Sequence, residues 1–227
     1  MPTRARKKVA KPRTAAGRKA RVEEILRRLD EAYANAQCAL SHRNAWELVV
    51  ATILSAQCTD KRVNIVTTGL FQKYPTMQDF AAVRQVVLEQ DIRSTGFFRN
   101  KAKSLIGAAK TLLSEFKGRV PETMEEMLRL PGVARKTANV VLGTWFGKPS
   151  GVVVDTHVQR IARRLDLTKQ ADPNKIEQDL MKIIPQEKWI EFSHKIIHHG
   201  RQVCAARRPA CERCNLEMVC YSRDKTV

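Results

Sequence analysis

The period of the apolar residues limits this fold more than any other feature of the sequence. They recur at three- and four-residue spacing, which puts them on one face of a helix. Val22, Ile25, Leu26, Leu29, Ala32 and Tyr33 share such a face over residues 22–36. Asn44 can cap a helix carrying Trp46, Val49, Val50, Ile53 and Leu54, and Thr59 one carrying Val63, Val66, Leu70 and Phe71. Pro75 and Thr76 start a short helical pair reaching Ile92, and a helix opened by Asn100 runs to a stop at Gly118. Pro121 and Thr123 open another that ends before Pro131, and one follows from about Arg135 to Trp145. Asp155 caps the next, Asp172-Pro173 starts its successor, and a last helix ends at Gly200. Only Val152-Val153-Val154 reads as β, so the expected class is all-α, with about ten short helices.

At about 150 residues per domain, 227 residues suggest one or two domains. No apolar stretch reaches the ~18 residues of a membrane span. Nor do the opening residues lead into the apolar core of a secretory signal. Neither feature is expected here. The net charge of +18 is large enough to gather polyanions, of which nucleic acid is the commonest. Nine of the basic residues fall in positions 1–21 with no acidic one, so that segment is expected to be a disordered tail. The remaining +9 must sit on a folded surface.

Cys38 and Cys58 lie in apolar helical contexts and read as small buried hydrophobes. Cys204, Cys211, Cys214 and Cys220 are spaced C-x6-C-x2-C-x5-C within 17 positions. Without a secretory signal, disulfides are disfavoured. Structural zinc and an iron–sulfur cluster both remain open on spacing alone. Arg207, Arg208 and Arg213 lie among these cysteines and can present cations to phosphate.

Leu130-Pro131-Gly132-Val133-Ala134-Arg135-Lys136-Thr137-Ala138 joins two helices by a tight turn. Gly132 permits torsions that other residues resist. The free amides of the following helix then face outward, where an anion such as a DNA phosphate fits. Lys136 lies in the first turn of that helix, beside Arg135. The helix dipole and the neighbouring cation both favour its uncharged amine, a nucleophile able to form a Schiff base. A solvated or phosphate-binding lysine is the plain alternative. For Asp155 the plain alternative is a helix cap.

Taken together, these residues resemble the endonuclease III family of DNA base-excision glycosylases. The resemblance spans roughly residues 22–222 and rests on four motifs in order. They are Leu54-Ser55-Ala56-Gln57-Cys58-Thr59-Asp60, the hairpin from Leu130 to Ala138, Val154-Asp155-Thr156-His157-Val158, and the four-cysteine loop. The resemblance implies a [4Fe–4S] cluster on Cys204, Cys211, Cys214 and Cys220. It also implies two lobes with DNA in the cleft between them. A six-helix lobe would span 38–150, and a cluster lobe would combine 22–37 with 151–227.

By the same resemblance, the nucleophilic lysine falls on Lys136 and the catalytic aspartate on Asp155. Mismatch-specific relatives usually carry another residue at the lysine position, so Lys136 points to the branch that both releases the base and cuts the strand. The residues that fill the helix fall on Gln57 and on Phe97 or Phe98 in the Gly96-Phe97-Phe98 loop. Gly132, Ala134 and Arg135, with Arg207 and Arg208, would bind the DNA backbone. Asp60 would support the cleft. Many members have Gly where this chain has Ala134, which keeps the N–H donor if its torsions are ordinary.

The implied function is bifunctional: a DNA glycosylase that removes oxidised or saturated pyrimidines from duplex DNA in base excision repair, and an abasic-site lyase. A monomer is expected, cytoplasmic and nucleoid-associated if bacterial. A glycosylase of other base preference, such as a mismatch-specific one, and a non-catalytic binder of distorted DNA are the alternatives.

Overall fold

The computed structural model describes residues 10–226, which form eleven α-helices, four 3-10 turns and no strand. The all-α expectation is met. Val152-Val153-Val154 forms no strand, and Val153 N–H donates to Ser193 Oγ at 3.0 Å.

The chain divides into two compact units, Cys38–Ser150 and the residues on either side of it. The first holds α2 (Ala45–Leu54), α3 (Asp60–Lys73), α4 (Met77–Ala82), α5 (Gln85–Asp91), α6 (Phe98–Glu115), α7 (Met124–Met127) and α8 (Arg135–Thr144). These are the seven helices that the apolar spacing places in this segment, one more than the six the resemblance implies. Asn44, Thr59, Thr76 and Thr123 each cap a helix with a side-chain oxygen. Helix α2 is buried from Trp46 to Leu54 and packs into the core. Cys38 and Cys58 are half-buried and pack against that core.

Helix α6 starts at Phe98, not at Asn100. Asn100 is not the cap; the left-handed Gly96 and Phe97 turn the chain into the helix, and Lys101 N–H donates to Phe97 O at 3.1 Å.

The other unit holds α1 (Ala15–Ala32), α9 (Thr156–Arg164), α10 (Pro173–Ile183) and α11 (Trp189–Gln202). Its core joins Ile25 and Leu29 of α1 to Ile161 of α9, Leu180 of α10 and Phe192 and Ile196 of α11. Helix α1 begins seven residues before Val22, so residues 15–21 of the expected disordered tail are helical. Thr14 caps it, and the Arg21 guanidinium donates to Val219 O at 2.7 Å and to Leu165 O while lying 4.2 Å over the Tyr221 ring. The expectation for residues 1–9 lies outside the described residues.

Helix α11 runs through Gly200 to Gln202 rather than ending at the glycine. A Cβ at Gly200 would stand 2.6 Å from His157 Nδ1, so close packing against α9 accounts for this glycine.

Candidate active site

The hairpin begins where α7 runs out. Leu130 N–H donates to Met127 O and Val133 N–H to Leu130 O, which folds the chain back. Gly132 has φ +79°, and a Cβ there would stand 2.5 Å from Ser104 Cβ on α6. Torsion and space both demand glycine. Ala134 precedes α8 at φ −94°, ψ 172°, an extended conformation open to any residue, so its torsions are ordinary and alanine is accommodated there. It offers no side-chain acceptor to the first amides of α8. Arg135 is half-buried, and Lys136, the second residue of the helix, is exposed.

Two further loops of this unit carry the predicted helix-filling residues. Gln57 is exposed in a left-handed conformation, φ 54°, in the turn between α2 and α3. Phe97 is likewise left-handed, φ 49°, and 60% exposed. Phe98 differs: it packs against the core, with the Arg93 and Arg99 guanidiniums 5.9 and 5.8 Å from its ring. Of the two rings, that of Phe97 is the more exposed. Asp60 is the first residue of α3.

In the other unit Asp155 caps α9. Its Oδ1 accepts from His157 N–H and Val158 N–H, each at 2.8 Å, and Oδ2 has no partner among the described residues. The cap and a chemical role are therefore compatible, because they use different oxygens.

Cys204, Cys211, Cys214 and Cys220 line one cavity with Ile161, Leu165 and Leu216. Among the described residues no three Cys, His, Asp or Glu side chains meet at a point that one metal ion could occupy. Four thiols around a largely apolar space suit a multi-atom cluster better than a zinc ion. Burial, reinforced by the neighbouring cysteines, pushes the Cys214 thiol up to about 11 and raises Cys220 as well. Thiolates there need cations to neutralise them, which iron would supply. Arg207 and Arg208 are exposed, whereas Arg213 donates to Gln202 O at 2.9 Å.

Residues 50–186 match the HhH-GPD superfamily of base excision DNA repair proteins. Endonuclease III of Synechocystis sp. is 55% identical over 92% of this chain and 96% of its own. That of Bacillus subtilis is 43% identical over 90% and 93%. The chain belongs to the endonuclease III family. Among solved structures, a non-covalent endonuclease III–DNA complex superposes with TM-score 0.85 at 45% identity, covering 89% of this chain and 95% of that one. A trapped endonuclease III–DNA covalent intermediate gives the same TM-score at 44% identity, with the same coverage.

As an endonuclease III, the protein is a DNA N-glycosylase and abasic-site lyase acting on oxidised pyrimidines, and it binds DNA. The family cofactor is a [4Fe–4S] cluster, and the donor set described above fits it. Among the described residues no helix of this endonuclease III is long and apolar enough to cross a membrane.

Sequence reasoning missed the residues that hold the cysteine loop to the helices. Arg164 donates to Cys204 Sγ at 3.2 Å, to Ala205 O at 2.7 Å and to Asp224. Arg160 donates to Cys204 O at 2.9 Å and Gly200 O at 3.1 Å. His199 Nε2 lies 3.6 Å from Cys214 Sγ while Tyr33 Oη meets its Nδ1 at 2.9 Å, and burial pulls its imidazole down to about 4. The one available signal was the helical spacing of Arg160 and Arg164 behind Asp155, which reads equally well as a solvated face.

Proposed function

We propose that Lys136 is the nucleophile of this endonuclease III. The observation that carries the reading is an exposed amine in the first turn of a helix whose opening amides have no side-chain cap. A backbone phosphate bound at those amides would hold the lesion's sugar near the amine. The trapped covalent DNA intermediate of a relative supports an enzyme-linked step of this kind.

The substrate is duplex DNA with an oxidised or saturated pyrimidine. Such a ring stacks poorly, so extruding it costs less than extruding a normal base. Phe97 wedges between base steps and Gln57 occupies the space the base leaves. Phe98 keeps its place in the core. Lys136 Nζ attacks the sugar C1′ and the base departs. The free Oδ2 of Asp155 stabilises positive charge developing on the sugar, and the carboxylate helps move the amine's protons. Opening of the sugar yields a Schiff base at Lys136. Loss of a C2′ proton then expels the 3′ phosphate by β-elimination.

Gly132, Ala134 and Arg135 at the hairpin, with Arg207 and Arg208 on the cysteine loop, bind backbone phosphates. Cys204, Cys211, Cys214 and Cys220 hold the cluster, whose chemistry when bound is to charge-neutralise four thiolates and fold their loop. The enzyme acts as a monomer in the cytoplasm, on nucleoid DNA.

Borohydride trapping tests the assignment. Wild type becomes covalently joined to lesion-bearing DNA on reduction, and Lys136→Ala loses the adduct while retaining duplex affinity. An adduct of equal yield in Lys136→Ala would mean that another amine reacts.

A further inference from the structure

Lys101 is a buried cation that the mechanism above does not use. It is 5% exposed on the inner face of α6. The other lysine buried to this degree, Lys195, sits between the carboxylates of Asp30 and Glu191. Lys101 has no carboxylate partner among the described residues; its Nζ donates to Leu54 O and to Thr95 O, both at 2.8 Å. Burial lowers its pKa from the usual lysine value. An ammonium satisfied only by carbonyls is a costly filler for a core position that an apolar side chain of similar size could take.

The two carbonyls explain the arrangement. Leu54 ends α2, and the left-handed Gln57 follows three residues later. Thr95 ends the 3-10 turn Arg93–Thr95, and the left-handed Phe97 follows two residues later. The backbone N–H of Lys101 also donates to Phe97 O at 3.1 Å. One residue therefore ties together the roots of both loops, and each loop carries a non-glycine residue in a conformation that persists only where its surroundings enforce it.

We propose that Lys101 is the positioning residue for base extrusion: by spanning Leu54 O and Thr95 O it sets the spacing at which Gln57 and Phe97 enter the duplex together. This rests on the reading of Gln57 and Phe97 given above.

The test is single-turnover base release from saturating lesion-bearing duplex by the cluster-loaded protein. It compares wild type, Gln57→Ala, Phe97→Ala, Lys101→Met, Lys101→Gln and the double variants pairing Lys101→Met with each alanine. Cleavage of a preformed abasic site and the melting temperature are measured alongside. Misplacing the two loops should slow base release in Lys101→Met by about 10- to 100-fold. The ratio of base release to abasic-site cleavage should fall as well, since an abasic site has no base to extrude. Lys101→Gln keeps N–H donors and should recover part of the loss. Each double variant should fall no further than its slower single parent, the signature of residues acting as one unit.

Additive losses in the doubles, or a lowered melting temperature with normal base release, would overturn the proposal while leaving the roles of Gln57 and Phe97 intact. So would failure of both Lys101 variants to fold, which would make the residue a support of the core alone. Wild-type base release in both alanine single variants would overturn the two roles, and the proposal with them.

Discussion

The carboxylate of Asp155 offers two oxygens to two uses. Oδ1 accepts two backbone N–H groups at the start of α9, and Oδ2, without a partner among the described residues, is the oxygen to which the proposed mechanism gives its chemistry. Asparagine caps helices about as well as aspartate, so Asp155→Asn separates the two uses. The variant should lose at most about 1 kcal/mol of stability, from the weaker interaction with the helix dipole. Its base-release rate should fall by about 10²- to 10³-fold, as when one stabiliser of developing charge is removed. Thermal melting and single-turnover kinetics check this, and a large loss of stability with normal turnover would reduce Asp155 to a cap. At this scale the sequence was informative wherever a role depends on immediate neighbours: the caps at Asn44, Thr59 and Asp155 all form as their residue types require. It could not separate Phe97 from Phe98, because the difference between them is what each ring packs against.

Among the elements, the hairpin and α6 depend on each other. Gly132 is left-handed and pressed against Ser104, so Gly132→Ala adds a strained torsion and a steric overlap together. The expected destabilisation is about 1–3 kcal/mol, read by denaturant unfolding. A shifted hairpin also misdirects the α8 amides. Duplex affinity should then show a log–log salt slope shallower by about 0.9, one phosphate contact fewer. An unchanged slope would mean that the hairpin does not bind the backbone. Helix boundaries were legible where a side-chain cap or a proline marks them, as at Thr76 or Asp172-Pro173. They were misread at Asn100 and Gly200, whose types suggest a helix end. The real start of α6 comes from the Gly96–Phe97 turn, and Gly200 is small because His157 packs against it.

Across the whole molecule, each of the two units has its own apolar core, and the cysteine loop gives one of them Leu216 and a few half-buried side chains. Leu216 is its one deeply buried hydrophobic side chain. Much of the loop's order should therefore come from the bound cluster. Cys211→Ser should bleach the visible absorbance of the purified protein and destabilise it by about 2–3 kcal/mol, lowering Tm by about 5–10 °C. Loss of colour with an unchanged Tm would show that the loop holds without its metal. The chain ends add a second tie: Lys11 pairs with Asp166 at 2.6 Å, and Arg21 reaches Val219 O. Composition could not reveal this, since a basic segment reads as a solvated tail until its partners elsewhere in the chain are known.

The sequence alone determined the helical class, most helix starts, the crowding of four cysteines near the C-terminus and the hairpin glycine. These depend on residue types at short spacing, which chain order preserves. Tertiary structure alone decided which phenylalanine is the more exposed, why Gly200 is small, and that Lys101 reaches a carbonyl 47 residues away at Leu54. The reason is physical: burial and hydrogen-bond satisfaction are set by elements that meet only once the chain has folded.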